Sequence, residues 1–315
     1  MSQTTPAIRA ELDLCVNIPP LAGLKAAVLN NDWSTTEAYF GSLDHEDDRA
    51  VASGVVIGIG ASEPFLEQVV AQHPESALAR TLLAGRYIIT GWDIRSAARA
   101  KDVSRDQFRQ FHDWLRRAER LLIDVCAEHP TYAMAWANRL ITARGLELGH
   151  SEARRRYDRL AEHHPHHIYG QILLLQQLCP KWGGSWEAAH GFARACLESA
   201  PAGSHAGRLV AEVHAEHWLD RAQDGDTGYL KSAEVRDELL AAAAVSVQHP
   251  DYRPGFHWVT DHNEFAGVLS MGGHHREAAP FFRALGNKAA ESPWQYFGDP
   301  AAQFTKHRKT ALAKG

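Results

Sequence analysis

The chain has 315 residues and 34.9 kDa, with 33 Lys and Arg against 38 Asp and Glu, 45% hydrophobic and 23% charged residues. That composition is globular rather than disordered, and the length suffices for one large domain or two ordinary ones. A net charge of −5 excludes a global pull toward nucleic acid or an anionic membrane. No apolar run approaches the roughly 18 residues of a membrane span, and the start MSQTTPAIRAELD has no signal-peptide core. A soluble, cytoplasmic protein is expected. Nineteen histidines stand beside 4 cysteines and 3 methionines. Cys15, Cys126, Cys179 and Cys196 form no CxxC pair, which disfavours a zinc ribbon or a thioredoxin-like motif.

Alanine outnumbers valine, isoleucine and threonine combined, which favours helices over strands. In chain order, residues 1–20 end in Pro19-Pro20 and read as a loose arm. Leu21–Asn30 reads as a helix, Asn31-Asp32-Trp33 as a turn, and Ser34 or Thr35 as the cap of the next helix, with Glu37 in its first turn. The run GVVIGIG from Gly54 to Gly60 is the one β-like competitor, and a single strand builds no sheet. Leu115, Ala118, Leu122, Val125 and Cys126 fall on one helix face. Trp186, Ala189, Ala193, Cys196 and Leu197 repeat the pattern, and Leu209, Val213 and Trp218 follow it more loosely. Cys126 and Cys196 therefore read as small buried hydrophobes. The fold class expected is all-α.

Prolines punctuate these helices at Pro74, Pro130, Pro165, Pro201 and Pro250, at intervals of 56, 35, 36 and 49 residues. Proline cannot continue a helix and biases its predecessor away from the helical region, so each marks a terminus. From Ala133 to Pro165 the chain places Trp136 in a first helix, Gly149 at a turn, then Ala153, Tyr157 and the closing proline. Ala188, Phe192, Ala195 and Pro201 repeat the second half, as do Gly273, Ala278 and Phe282, followed by Pro293. The small residue lets two helices approach and the aromatic fills the space beside it. In period and in these positions the chain resembles the tetratricopeptide family, a helix–turn–helix repeat. Its Leu-Gly of the first helix is absent here, and His275 stands where a tyrosine is usual. The resemblance implies a right-handed α-solenoid of helical hairpins. Residues 21–297 would form one such domain, irregular over 21–110 and clearer over 111–295, with 298–315 a basic C-terminal helix or tail. Trp92-Asp93-Ile94-Arg95 together with Pro180-Lys181-Trp182-Gly183-Gly184-Ser185 also resembles a bacterial family of tetratricopeptide-like domains to which no activity is attached.

Several patterns bear on chemistry. Trp182 reads either as a plug between hairpins or, with Lys181 and Ser185, as one wall of a ligand pocket. Glu187 and His190 make a lone E-x-x-H, short of the two that a di-iron bundle uses. His214 and His217 share a helix face with Glu212 and Glu216 nearby, which reads as a polar face. The tract His163 to His167 is broken by Pro165, so its rings cannot share a face. In His257, Trp258, Asp261, His262 and Glu264, the i,i+4 spacing sets Asp261 beside His257, as a general base requires. Gly203-Ser204-His205 has no acid nearby in sequence, so no triad follows from it. The fold resemblance implies a non-enzymatic binding protein, holding a peptide or protein in a groove lined by Trp136, Arg139 and Arg144. The alternative is a small-molecule binder or enzyme, its pocket built from Trp92, Arg95, Trp182 and the helix carrying His257, Asp261, His262 and Glu264. No metal, cofactor, nucleic-acid or membrane partner is expected. A third reading is a homodimer through the basic C-terminal helix.

Overall fold

The structure is a computed structural model that describes residues 9–96 and 102–315. It is all-helical: sixteen α-helices and no strand form among the described residues, where the one isolated bridge joins Glu11 and Lys288. No single helix among them is long and apolar enough to cross a membrane. The chain divides into two compact units, residues 20–185 and residues 186–315 joined by the first 19 residues.

The short helix α1 (Leu14–Asn17) belongs to the second unit. The first unit runs through α2 (Pro20–Leu29), α3 (Trp33–Gly41), α4 (Glu46–Gly58), α5 (Ser62–Gln72), α6 (Ala77–Arg95), α7 (Arg105–Glu128), α8 (Ala133–Gly145), α9 (His150–Ala161) and α10 (Ile168–Leu178). Helix starts follow local capping chemistry. Asp32 accepts from the Thr35 amide at 3.0 Å and Ser76 from the Ala79 amide at 3.2 Å, while Ser104 and Gln107 form a reciprocal capping box. Helix ends follow the prolines: α5 and α7 close on His73 and His129, each directly before one.

GVVIGIG does not become a strand, and its first five residues are the last turn of α4. With no neighbouring strand to pair with, the run buries its apolar side in a helix instead, crossing three others. The Ile57 carbonyl accepts from Arg86 of α6 at 2.7 Å, and at the other end Asp47 accepts from the Ile168 amide at the start of α10 at 2.9 Å. Between them, a Cβ on Gly85 of α6 would meet Ile57 at 3.0 Å and the Asn138 amide of α8 at 3.4 Å. The faces of α6, α8 and α10 are therefore covered by the chain's own helix. Beneath them lies a charged core. Glu119 of α7 accepts from Arg139 of α8 at 3.0 Å, from Arg156 of α9 at 2.8 Å, and from the Thr142 hydroxyl. Arg156, 2% exposed, also donates to the Arg139 carbonyl at 2.6 Å and to Glu152 at 2.7 Å.

The second unit holds α11 (Trp186–Ser199), α12 (Gly207–Gln223), α13 (Ala233–Val245), α14 (Trp258–Met271), α15 (His275–Leu285) and α16 (Pro300–Lys314). Helix α12 is its centre and packs against α11, α13 and α14. Gly207 permits one close approach, since a Cβ there would sit 2.0 Å from the Ser246 hydroxyl. Residues 9–19, expected as a loose arm, are tied down. Asn17 is buried and donates to the Glu11 and Ala289 carbonyls at 2.9 and 3.1 Å, and the Glu11 amide donates to the Asn287 carbonyl at 2.8 Å. Helix α16 turns Phe304 and Ala311 inward and leaves Lys306, Lys309 and Lys314 exposed.

Breaking the Glu119 network leaves a buried charge short of partners, so Arg156→Met should cost about 3–5 kcal/mol of stability. Arg155→Met removes only an exposed pair and should cost about 0–1 kcal/mol. Urea unfolding midpoints of the two variants check the difference, and equal midpoints would show that the network carries no load.

Candidate functional site

Four of the expected ligand residues gather in the first unit. Trp92 and Arg95 lie in the last turn of α6, Arg144 in the last turn of α8, and Trp182 ends a 3-10 turn after α10. The rings of Trp92 and Trp182 meet edge to face at 6.2 Å, with Arg95 at 5.5 Å over the first and Arg144 at 5.4 Å over the second. Trp92 also meets Phe111 at 4.7 Å. His150 donates to the Trp182 carbonyl at 3.0 Å, Gly183 takes a φ of +86°, and any Cβ on Gly184 would collide with the Leu178 carbonyl at 1.9 Å. The glycine pair is thus required to lay Trp182 over the hairpins, where the cation–aromatic alternation anchors it. Lys181 stands exposed at the edge. Trp136 and Arg139 are interior instead of lining a groove: Trp136 donates to the Pro130 carbonyl at 2.8 Å, and Arg139 serves Glu119.

The His257–Glu264 segment belongs to the second unit, where it builds a buried polar cluster. Asp261 and Glu264 sit on the inner side of α14, opposite Arg208 and Glu212 of α12. Asp261 takes its short imidazole hydrogen bond from His205, and the charge of His257 acts on the same carboxylate. His205, from the loop before α12, donates from Nδ1 to Asp261 at 2.6 Å, and the Tyr252 hydroxyl donates to the same oxygen at 2.9 Å. His257, at the N-cap of α14, sets its ring 5.3 Å from that of His205, tilted by 53°. His262 faces elsewhere and donates to the Trp258 carbonyl at 2.8 Å. Arg208 lies 3.9 Å from Asp261 and 3.5 Å from Glu212, and Ser292 donates to Glu264 at 2.6 Å.

The two carboxyls of α14 are driven apart. Burial alone would raise Asp261, but the His205 hydrogen bond and charge, with Arg208, hold it below the usual carboxylate value. Burial, and then the neighbouring Glu212, push Glu264 up to about 7 against the opposing pull of Arg208. An anionic carboxylate and a carboxyl that titrates near neutrality thus stand one turn apart, the division found in acid–base pairs.

A third group spans α11, α12 and α13. Glu238 is gripped by Arg194 at 2.7 and 3.0 Å and accepts from His214 Nε2 at 3.2 Å. His214 Nδ1 must then accept, and the Tyr229 hydroxyl donates to it at 2.7 Å. His190 Nε2 lies 3.0 Å from His217 Nδ1 and 3.4 Å from the Tyr229 oxygen, so its proton completes the chain. Trp186 stacks flat on His217 at 4.4 Å. Burial, then neighbouring imidazoles, push His190 down to about 3, while burial and Arg221 push His217 down to about 4. The other face of Glu238 borders a cleft of about 490 Å³ with mostly apolar walls. No three His, Cys, Asp or Glu side chains among the described residues converge to hold a metal ion. In the 163–167 tract, His164 donates to the Thr131 carbonyl and His167 caps the Gly170 amide.

The sequence reading missed the role of His205 because its partner Asp261 is 56 residues away, and it passed over Tyr252, Arg208 and Tyr229, whose partners lie outside the patterns it searched. The same holds for Glu238, 24 residues from His214. The one available signal was the i,i+4 spacing of Arg208 with Glu212 on a helix that also carries His214 and His217. No family model matches the chain, and no curated protein is significantly similar to it.

His190 and His217 titrate at about 3 and 4 in the folded chain, against 6.5 as the ordinary value. The unfolded state therefore binds more protons below pH 6.5, so their contribution to stability is complete above that value and is lost as pH falls toward 4. The urea midpoint should drop between pH 7 and pH 4.5, and replacing both residues with Phe should flatten the drop. A midpoint that is constant over this range would show these histidines to be open to protonation.

Proposed function

We propose that the chain is a helical-repeat binding protein, tetratricopeptide-like in arrangement, which holds a peptide or protein partner. The local signature supports the arrangement. Ala153 and Tyr157 of α9 are 1% and 7% exposed, inside the first unit as a repeat's second helix requires, and Gly149 opens the hairpin with a φ of +87°. The observation that carries the placement of the partner surface is the contrast between the units. In the first, α4 covers α6, α8 and α10. In the second, a cleft with mostly apolar walls opens between α11 and α13. The reading therefore assigns recognition to residues 186–315.

A second reading is favoured by one observation, the divided carboxyls of α14 beside the His205–Asp261 pair. There, His205, with its tautomer fixed by Asp261, would take the proton of a water that attacks an ester, glycosidic or phosphate bond and return it to the leaving oxygen as that bond breaks. Hydrolase screening with His205→Ala as control checks it: a genuine activity should fall about 100-fold or more in the variant, and an equal rate would exclude His205.

Panning a displayed random-peptide library on the full chain tests the binding reading. The synthetic peptide it selects should bind in calorimetry with a Kd of about 1–100 μM. A library that enriches nothing over a heat-unfolded control overturns the reading.

A further inference from the structure

The cleft of the second unit has a built shape and a definite charge. Ala241, Ala242 and Val245 of α13, Leu197 of α11 and Val210 of α12 make an apolar concavity. Its floor, Val210, is 1% exposed, while Val245 is left 46% exposed at the side. Small alanines at the wall leave room for a side chain of leucine or phenylalanine size within about 490 Å³. The rim carries three charges, Arg194, Glu198 and Glu238. Both oxygens of Glu238 receive Arg194, through Nε at 2.7 Å and Nη2 at 3.0 Å, so that pair is internally neutral. Glu198, exposed on α11, then supplies the net charge of the rim, and it is negative. Behind the rim, Glu238 is fixed by His214, which is fixed in turn by Tyr229, so the polar end cannot swing away to meet a ligand. Two further clefts, of about 500 and 430 Å³, are lined largely by polar and charged groups and have no comparable apolar wall.

We infer that the cleft between α11 and α13 takes an apolar anchor side chain from a partner peptide segment that carries lysine or arginine beside the anchor, read by Glu198. This rests on the binding reading proposed above and names the partner's chemistry at one surface. Apolar walls give the anchor its place and exclude water, while the single net negative rim charge selects the flanking residue and repels an acidic segment.

The test uses the full chain and two fluorescein-labelled peptides of equal length, one of leucine and lysine in helical alternation, the other with glutamate replacing every lysine. In fluorescence anisotropy, the Leu/Lys peptide should bind saturably and at least 10-fold more tightly than the Leu/Glu peptide. Ala241→Trp, on an exposed wall position, fills the cleft and should weaken Leu/Lys binding at least 10-fold. Glu198→Lys should reverse the preference between the peptides. Circular dichroism checks that both variants stay folded. Leu/Lys binding that is unchanged in Ala241→Trp overturns the cleft as the site, yet leaves the binding reading standing. Equal affinity for the two peptides overturns the charge selection. If neither peptide binds while the panned peptide does, the inference falls alone; if none of the three binds, both fall.

Discussion

The first unit depends on a single carboxylate. Glu119 is a point at which α7, α8 and α9 are joined by charge, within a core that apolar side chains such as Leu122, Leu140 and Leu160 also fill. Two guanidiniums and a hydroxyl converge on its oxygens, and Arg156 spends its remaining donors on a carbonyl of α8 and on Glu152. Such an arrangement is weak evidence for net stability, because desolvating the ions is costly. Its effect is on geometry. A guanidinium in a fork has one good approach to a carboxylate, so the network admits one register of three helices where a greasy interface would tolerate several. The Trp92–Trp182 array depends on that register, since Arg144 and Trp92 project from the ends of two of the helices that the network and its neighbours hold in place.

The second unit puts charge to a different use. Around Asp261 and Glu264 the imidazole and hydroxyl contacts are short, at 2.6 to 2.9 Å, while Arg208 stands off at 3.9 and 3.5 Å from Asp261 and Glu212. Around Glu238 the contacts are short and serial, from guanidinium to carboxylate to imidazole to phenol. The first group holds two carboxyls of the same helix in opposite electrostatic settings; the second ties three histidines into one hydrogen-bonded series. Helices of similar length and composition thus carry a rigid ionic clamp, a divided acid pair and a hydrogen-bonded relay. The backbone pattern alone does not separate these roles.

The periodic features were legible from residues alone. The all-helical class followed from alanine content and 3,4 spacing, and the helix ends at His73 and His129 followed from the prolines after them. The histidine surplus resolved partly as expected, since several rings cap or close helix ends: His167 caps the Gly170 amide and His164 reaches the Thr131 carbonyl. Features that rest on a distant partner were not legible. GVVIGIG carries strand propensity, which the crossing of α4 over α6, α8 and α10 overrides. His257 and Asp261 have the right spacing to interact, but the His205 hydrogen bond to the same carboxylate comes from 56 residues away. Arg139 looks like a surface arginine in a string of letters. Only the fold reveals that it is one of the partners a buried glutamate requires.

The pinned N-terminal segment has a consequence for the order of events in time. Asn17 bonds the Ala289 carbonyl across 272 residues, so the second unit is discontinuous: its first piece leaves the ribosome before residues 20–185 and waits for its last. Residues 20–185 have all their contacts available long before that and can complete their core as an inserted unit. Folding them draws the waiting segment toward the growing chain, which shortens the loop that Asn17 must close and lowers its entropic cost. The second unit therefore matures as a late, long-range closure, and Asn17 is the latch on which that closure ends.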